Sequence, residues 1–319
     1  MQDMIGRRTF LASLAAASAW PLPGFAQPAR RIGFLHPGNI AVGNFRISAF
    51  REGLGGEAEI VTRVAQGNME KLPALTAELL ALPVDLIVAV SPITVRTVKA
   101  ATQTVPILAV DLESDPVASS FVASLARPGR NLTGIFLDFP EFSAKLLQLL
   151  REAVPSLSKI AVLWDPETGA VHLDAVKAAA PAFGIATEVI EIRRTSDFEG
   201  AFEAAGKASV DGVLILSSPL VSGNAALLAD HAASRKLPAI TLFPEFAQNG
   251  GLLGYGPDLQ DLFRQGGVLA RKMLHGAKPT ELPVERPTRF RLVANLKLAR
   301  QIGVNLPTSI LLRADEVVE

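Results

Sequence analysis

The stretch VPILAVDLESDPVASSFVASLARPGRNLTG, residues 105–134, decides how the chain is to be read. Residues 105–110 are an unbroken apolar run, the pattern of a strand buried on both faces. A polar turn follows, with Asp111, Glu113, Ser114 and Asp115, and then Pro116. Aspartate directly before proline marks a helix cap with proline in the first helical position, so a small helix is predicted after Asp115. The run ARPGRN at 126–131 breaks that helix and sends the chain into a second α/β unit. A strand-end loop, a helix N-terminus and a hinge therefore fall in one stretch. In open parallel sheets, ligands bind at such strand ends.

Upstream, apolar runs at 31–35, 58–64 and 85–90 read as strands, separated by helical patterns at 44–54 and 68–82. Ser91-Pro92 opens another predicted helix, to about residue 102. Strands and helices alternating at this spacing mean βαβ units and a parallel sheet covered on both faces. Downstream the rhythm restarts. Helices are predicted at 139–153, 170–183, 196–207 and 223–236, with strands at 159–164, 187–192, 212–216 and 239–243. Two halves with one rhythm suggest duplicated lobes. After a strand at 252–256, a helix at 257–275 is expected to return to the first lobe. A proline-rich crossover at 278–287, a strand near 289–293 and a helix at 296–302 close the chain.

The chain has 319 residues, 49% of them hydrophobic, enough for two lobes of ordinary size. Lys+Arg and Asp+Glu number 31 each, which argues against a nucleic-acid or anionic-membrane surface. Cysteine is absent, which excludes disulfides, thiolate metal sites, a cysteine nucleophile and a lipid-modified cysteine. Residues 1–26 carry GRRTFL at 6–11, an apolar run to Trp20 and a proline-glycine breaker before Ala26. That is the layout of an export signal, and Arg7-Arg8 resembles its twin-arginine form. The expectation is a soluble periplasmic protein without a lipid anchor, cleaved near Ala26.

No nucleotide fingerprint follows the first strand, only HPGN at 36–39 and then Gly43. No GxSxG elbow occurs. The four histidines are far apart in sequence, and His172, His231 and His275 are expected on solvated helix faces. No catalytic constellation, metal site or cofactor is expected. What remains is a set of polar strand-end loops: 36–39, 91–94 and 111–115 in the first half, then 138–141, 165–168, 217–219 and 243–245. Helix N-termini there offer free N–H groups and partial positive charge, which suit a carboxylate. Ser91 and Thr94 add hydroxyls, and Asp138 or Asp165 offers a partner to an ammonium group. Phe136 and Phe243 adjoin these loops and present rings for stacking, although core packing is the commoner fate of such a residue. Capping alone equally accounts for Ser91, Asp115 and Ser217.

Several segments carry a resemblance. SDPV at 114–117, SLARPG at 124–129, NLTG at 131–134, VLWDP at 162–166 and RKLPA at 235–239 are among them. GGLLGYG at 250–256, GAKP at 276–279, FRLVAN at 290–295 and LRADE at 312–316 complete the set. Together they resemble the ABC-transporter substrate-binding protein family that includes the tryptophan-binding TrpX-like proteins. The resemblance implies a type I periplasmic-binding fold: α/β, two Rossmann-like lobes with parallel sheets joined by a hinge. It places lobe I at 31–134 plus about 257–280, and lobe II at 135–256 plus about 284–316. It implies capture of a small solute, such as an amino acid or other carboxylate-bearing compound, and delivery to a membrane permease. It carries His36, Ser91, Pro92, Ser114, Asp115, Asp138, Asp165, Thr168 and Ser217 over as ligand contacts. Asp111, on the same loop as Ser114, belongs with them. One departure stands out: amino-acid-binding members place polar or acidic groups where this chain has Ser218-Pro219 and Phe243. The rivals are a periplasmic sensor presenting its closed form to a receptor, an enzyme on a doubly wound fold, and a sugar-responsive repressor. The enzyme lacks a visible base–nucleophile pair, and the repressor would need a helix-turn-helix where the export signal sits.

Overall fold

The computed structural model describes residues 30–319; the export signal expected at 1–26 lies outside them. Apolar runs become buried parallel strands because each is covered on both faces. In the first lobe β1 (Arg31–His36), β2 (Glu59–Val64), β3 (Leu86–Val90), β4 (Ile107–Asp111) and β5 (Leu132–Phe136) form a parallel sheet in the order β2-β1-β3-β4-β5. Helices α1 (Ile40–Leu54), α2 (Leu72–Leu80) and α3 (Pro92–Ala101) connect them. The five residues of β3 and of β4 are all buried, as a central strand requires.

The second lobe continues with α4 (Phe139–Ala153), β6 (Lys159–Trp164), α5 (Val171–Ala179), β7 (Ala186–Glu191), α6 (Phe198–Lys207) and β8 (Gly212–Ile215). It goes on through α7 (Pro219–Ser222), α8 (Ala225–Ser234), β9 (Ala239–Thr241), α9 (Pro244–Gln248) and β10 (Leu253–Pro257). Helix α10 (Leu259–Leu274) then crosses back and lies along α1. The two helices meet backbone to backbone: a Cβ on Gly53 would sit 1.9 Å from the Arg264 carbonyl oxygen, and one on Gly267 would sit 2.1 Å from that of Phe50. Glycine is required on both helices for that approach. The chain ends with β11 (Phe290–Asn295), α11 (Leu296–Ile302), α12 (Thr308–Arg313) and β12 (Glu316–Val318). The second sheet runs β12-β11-β10-β9-β8-β6-β7.

One pair in that sheet is antiparallel, β10 with β11, with Pro257 opposite Phe290. The excursion through α10 explains it. The chain leaves the second lobe at the end of β10 and re-enters at the same end. Three crossings therefore lie side by side and are tied together. Glu285 bridges Ile135 in parallel, Asp258 N–H donates to the Arg289 carbonyl at 2.9 Å, and Arg286 Nη1 donates to the carbonyls of Phe136 and Leu137 at 3.1 and 2.6 Å.

Three expectations need correction. After Pro116 the chain makes turns, not a helix: Asp115 Oδ1 accepts from Val117 and Ala118 N–H at 2.8 Å, while Phe121 and Val122 drop into the first-lobe core. An Asx turn satisfies the same donors that a helix cap would, without continuing. His172 is not on a solvated face; it is 3% exposed, against Phe139 at 4.9 Å and Phe142 at 6.1 Å between ring centroids. Helix α9 starts within the loop expected at 243–245, and α12 and β12 answer to no expectation, because elements this short carry no periodic signal.

Candidate ligand-binding cleft

The carboxyl ends of both sheets face one another across a cleft, and its lips are in contact. Arg96 Nη2, on α3, donates to the Glu167 carbonyl of the second lobe at 2.9 Å. Ser217 Oγ, after β8, donates to the Leu112 carbonyl of the first lobe at 3.3 Å. Between these contacts lie two cavities that share Ser91 and Pro219. The inner one, about 30 Å³, is lined by His36, Arg46, Leu112, Glu113 and Phe243 among others. The outer one, about 390 Å³, is walled by Met69, Pro92, Ile93, Asp165, Thr168 and Leu220 among others.

Ser91 sits where β3 hands over to α3. Its φ is 74° and ψ 158°, a backbone region that glycine alone occupies without cost. It stands at the N-cap position, yet its hydroxyl caps nothing; Oγ is buried with no partner. The Ser-Pro pattern thus produced the expected helix start, but the capping reading of Ser91 fails. Ser217 does not cap either. Ser218 does, accepting from Val221 N–H at 3.1 Å.

His36 ends β1 and is 2% exposed. Its Nδ1 accepts from Gly38 N–H at 3.0 Å, and Arg46 Nη1 lies 2.8 Å from its Nε2. Burial, and then the adjacent Arg46 charge, hold the imidazole neutral, its pKa lowered to about 3. Arg46 comes from the middle of α1, is 7% exposed, and lies with its guanidinium 5.6 Å from the Phe263 ring centroid. Its Nε is buried without a partner. Asp111 is fully buried and accepts from Glu113 N–H at 2.9 Å, Ser114 N–H at 3.1 Å and Ser114 Oγ. Burial raises its pKa to about 6 against those bonds; burial and the neighbouring Asp111 push Glu113 well up. Burial also pushes Glu245, near Arg46, upward.

The residues singled out from sequence separate into groups. His36, Ser91, Pro92, Asp165, Thr168 and Phe243 line the two cavities. Asp165 and Thr168 are tied into their own turn, Asp165 Oδ1 accepting from Glu167 N–H at 3.1 Å and Thr168 Oγ1 donating to the Asp165 carbonyl at 2.7 Å. Burial raises the Asp165 carboxyl despite that bond. Asp111, Ser114, Ser217 and Ser218 shape the walls through the bonds above, and Asp115 holds the Asx turn. Thr94 is buried in the first turn of α3 with Oγ1 unpartnered, outside both cavities. Phe136 is away from the cleft, packed in the first-lobe core 6.4 Å from Phe121. Asp138 lies at the crossing, 3.7 Å from Arg286, on a separate cavity of about 620 Å³ lined by Phe142, Tyr255 and Phe290. Glu113 and Pro219, from the expected loops 111–115 and 217–219, also line the inner cavity, and so does Arg46, which lies outside every loop expected to do so. Arg46 carried no signal, because an arginine in a helix is ordinarily solvated. Among the described residues no group of three or more His, Cys, Asp or Glu is arranged to hold a metal ion.

Two α/β lobes, three tied crossings and a cleft at the strand ends define a two-lobed binding protein of type I periplasmic architecture. Residues 53–318 match the family described as ABC transporter substrate binding protein, and the chain belongs to that family. A tyrosine-binding protein of Clostridioides difficile (strain R20291) is 26% identical over 251 residues, 76% of this chain and 69% of that one. The ABC domain in complex with L-Trp from Streptococcus pneumoniae superposes with a TM-score of 0.84 at 22% identity, covering 91% of this chain and all of that one. The ligand-free, open structure of a substrate-binding protein with adhesive properties from Clostridium difficile gives 0.67 at 22% identity, covering 91% and 99%. Among the described residues no helix is long and apolar enough to cross a membrane.

Proposed function

We propose that this protein is the periplasmic solute-binding component of an ABC importer. Its N-terminal segment directs export, its cleft closes on a small carboxylate-bearing solute, amino acids foremost, and a membrane permease receives the closed form. The observation that carries this reading is the cleft itself. Both lips touch, through Arg96–Glu167 and Ser217–Leu112, over a half-open space with unpartnered donors. Closure of this kind couples to binding when the solute contacts both lobes only in the closed form. Pro219 and Phe243 from the second lobe and Ser91 from the first meet around the inner cavity, so a solute there touches both. The tyrosine- and tryptophan-binding relatives support an amino acid as the first solute to try.

Mass spectrometry of the gently purified mature protein, native and then denatured, tests the reading together with small-angle scattering. A stoichiometric small molecule lost on unfolding, and a more compact particle with solute than without it, are the expected results. Scattering curves identical with and without every stabilising solute would end the closure mechanism.

A further inference from the structure

The inner end of the cleft has more hydrogen-bond donors than acceptors. A neutral imidazole has one lone pair, and a guanidinium only donates. Yet Gly38 N–H points at His36 Nδ1 at 3.0 Å, and Arg46 Nη1 lies 2.8 Å from His36 Nε2. If Nδ1 accepts from Gly38, the ring hydrogen sits on Nε2 and faces Arg46. If Nε2 accepts from Arg46, the hydrogen sits on Nδ1 and faces Gly38. Protonating the ring makes both contacts donor to donor. In every state at least one donor pair is opposed, and Arg46 Nε and Ser91 Oγ lie buried beside it with no partner. Arg46 and Ser91 are only 7% and 4% exposed, so water in bulk does not relieve them. The carboxyl groups nearest Arg46, on Glu113 and Glu245, are both pushed toward their neutral form by burial.

We propose that this inner cavity is the anchor for the solute's carboxylate, received by Arg46, His36 and Ser91. This rests on the cleft being the solute site. One carboxylate supplies what is missing: oxygens that accept from Arg46 Nη1 and Nε, from His36 Nε2–H and from the Ser91 hydroxyl. With it in place, His36 keeps its hydrogen on Nε2 and its bond from Gly38, and the carboxylate oxygens offer acceptors to the Nε2 and Arg46 hydrogens that otherwise face each other. The space agrees. About 30 Å³ admits a group the size of a carboxylate, and the body of the solute extends into the adjoining cavity of about 390 Å³. Met69, Ile93, Pro92 and Leu220 give that outer cavity apolar patches, set among polar and charged side chains that include Gln66, Glu167, Arg193 and Asn224. The ligand class is therefore a carboxylate with a body part apolar and part polar, lying carboxylate inward. The Phe263 ring beside the guanidinium, 5.6 Å from centroid to Arg46 Cζ, helps hold Arg46 in place without competing for its hydrogens.

The test uses the mature protein and formate, which matches the inner cavity alone. Nitrogen NMR of the Arg46 Nε–Hε group and the His36 ring is followed through a formate titration. A saturable shift of both is expected; an Arg46 resonance that formate leaves unmoved overturns the anchor. In parallel, thermal-shift titrations compare L-tryptophan, L-tyrosine and 3-phenylpropionate with their carboxamides, which lack only the carboxylate charge, in wild type and Arg46→Gln. A carboxylate should bind about tenfold to a hundredfold more tightly than its amide, and Arg46→Gln should erase most of that preference. A solute that binds as well as its amide, equally in both proteins, overturns the anchor and leaves solute capture standing. A formate shift with no stabilising solute supports the anchor and counts against capture of these compounds. If Arg46→Gln fails to fold, the wild-type formate titration still decides.

Discussion

Two histidines are buried to the same degree and held neutral by the same cause, yet they sit in unlike surroundings. His36 and His172 are 2% and 3% exposed, and burial lowers each pKa to about 3. His36 faces Arg46 and Gly38, polar groups that compete for it, at the mouth of a cavity. His172 is flanked by Phe139 and Phe142, and neither of its ring nitrogens has a partner. Burial and a displaced pKa therefore do not by themselves mark a ligand site. What separates the two is whether unmatched polar groups converge on an open volume. They do at His36. At His172 the ring is packing material that happens to carry nitrogen.

The largest expected effect comes from acid. The folded-state pKa of His172 lies below the ordinary value of 6.5, so as pH falls the unfolded chain takes up the proton first. Stability is intact above about pH 6.5 and is lost toward pH 3, at up to about 1.4 kcal/mol per pH unit for each such histidine. Asp111 acts with the opposite sign: its raised pKa, about 6, gives a contribution that is largest in acid and fades as pH rises from the ordinary aspartate value through 6. His172→Phe isolates one term. At neutral pH it should lie within about 1 kcal/mol of wild type, since an apolar ring replaces a ring with no bonds to lose. Two units below pH 6.5 it should be more stable than wild type by about 2–3 kcal/mol relative to that difference. Urea unfolding at both pH values checks it, and a gap that stays constant with pH breaks the account of His172.

Next in size is His36→Phe. It should weaken the solute identified by mass spectrometry by about tenfold or more, while His172→Phe leaves its affinity unchanged. Equal losses in the two variants, measured by calorimetric titration, would erase the contrast between the sites. Ser91→Gly sharpens it from the backbone side. Glycine relieves the strained φ of 74°, so the variant should gain about 1 kcal/mol of stability. It should bind the solute severalfold less tightly, because the unpartnered hydroxyl is gone. The smallest effect is Arg96→Ala. The side chain is exposed, and its bond to the Glu167 carbonyl is worth at most about 1 kcal/mol. Scattering of the solute-free variant should show a slight shift to the open form, with the saturated form unchanged.

The sequence was most legible where periodicity and turn chemistry act locally. Residues 139–153 form a helix as expected, Ser91-Pro92 starts one, and the apolar runs at β3 and β4 are buried on both faces. It was less legible where partners come from afar. Asp165 and Thr168 lie at the cleft, but their hydrogen bonds close their own turn, and Phe136 turned inward against Phe121. Asp138 stands at a crossing because the chain leaves the first lobe there, a fact of connectivity between sheets.

What the sequence determined by itself is the alternation of strand and helix and the positions of the strand-end loops. These follow from neighbours a few residues apart, through side-chain period, proline and capping chemistry. The tertiary structure alone decided that Arg46, from mid-helix on α1, meets His36 and Ser91 at the inner end of the cleft. It decided equally that β10 and β11 run antiparallel, because α10 carries the chain out and back between them. An arginine in a helix reads as solvated until Phe263 on α10 covers one side of it and the second lobe closes over the cavity it lines. Burial, and with it the missing acceptor, is a property of surfaces brought together over long sequence separations, and no local pattern encodes it.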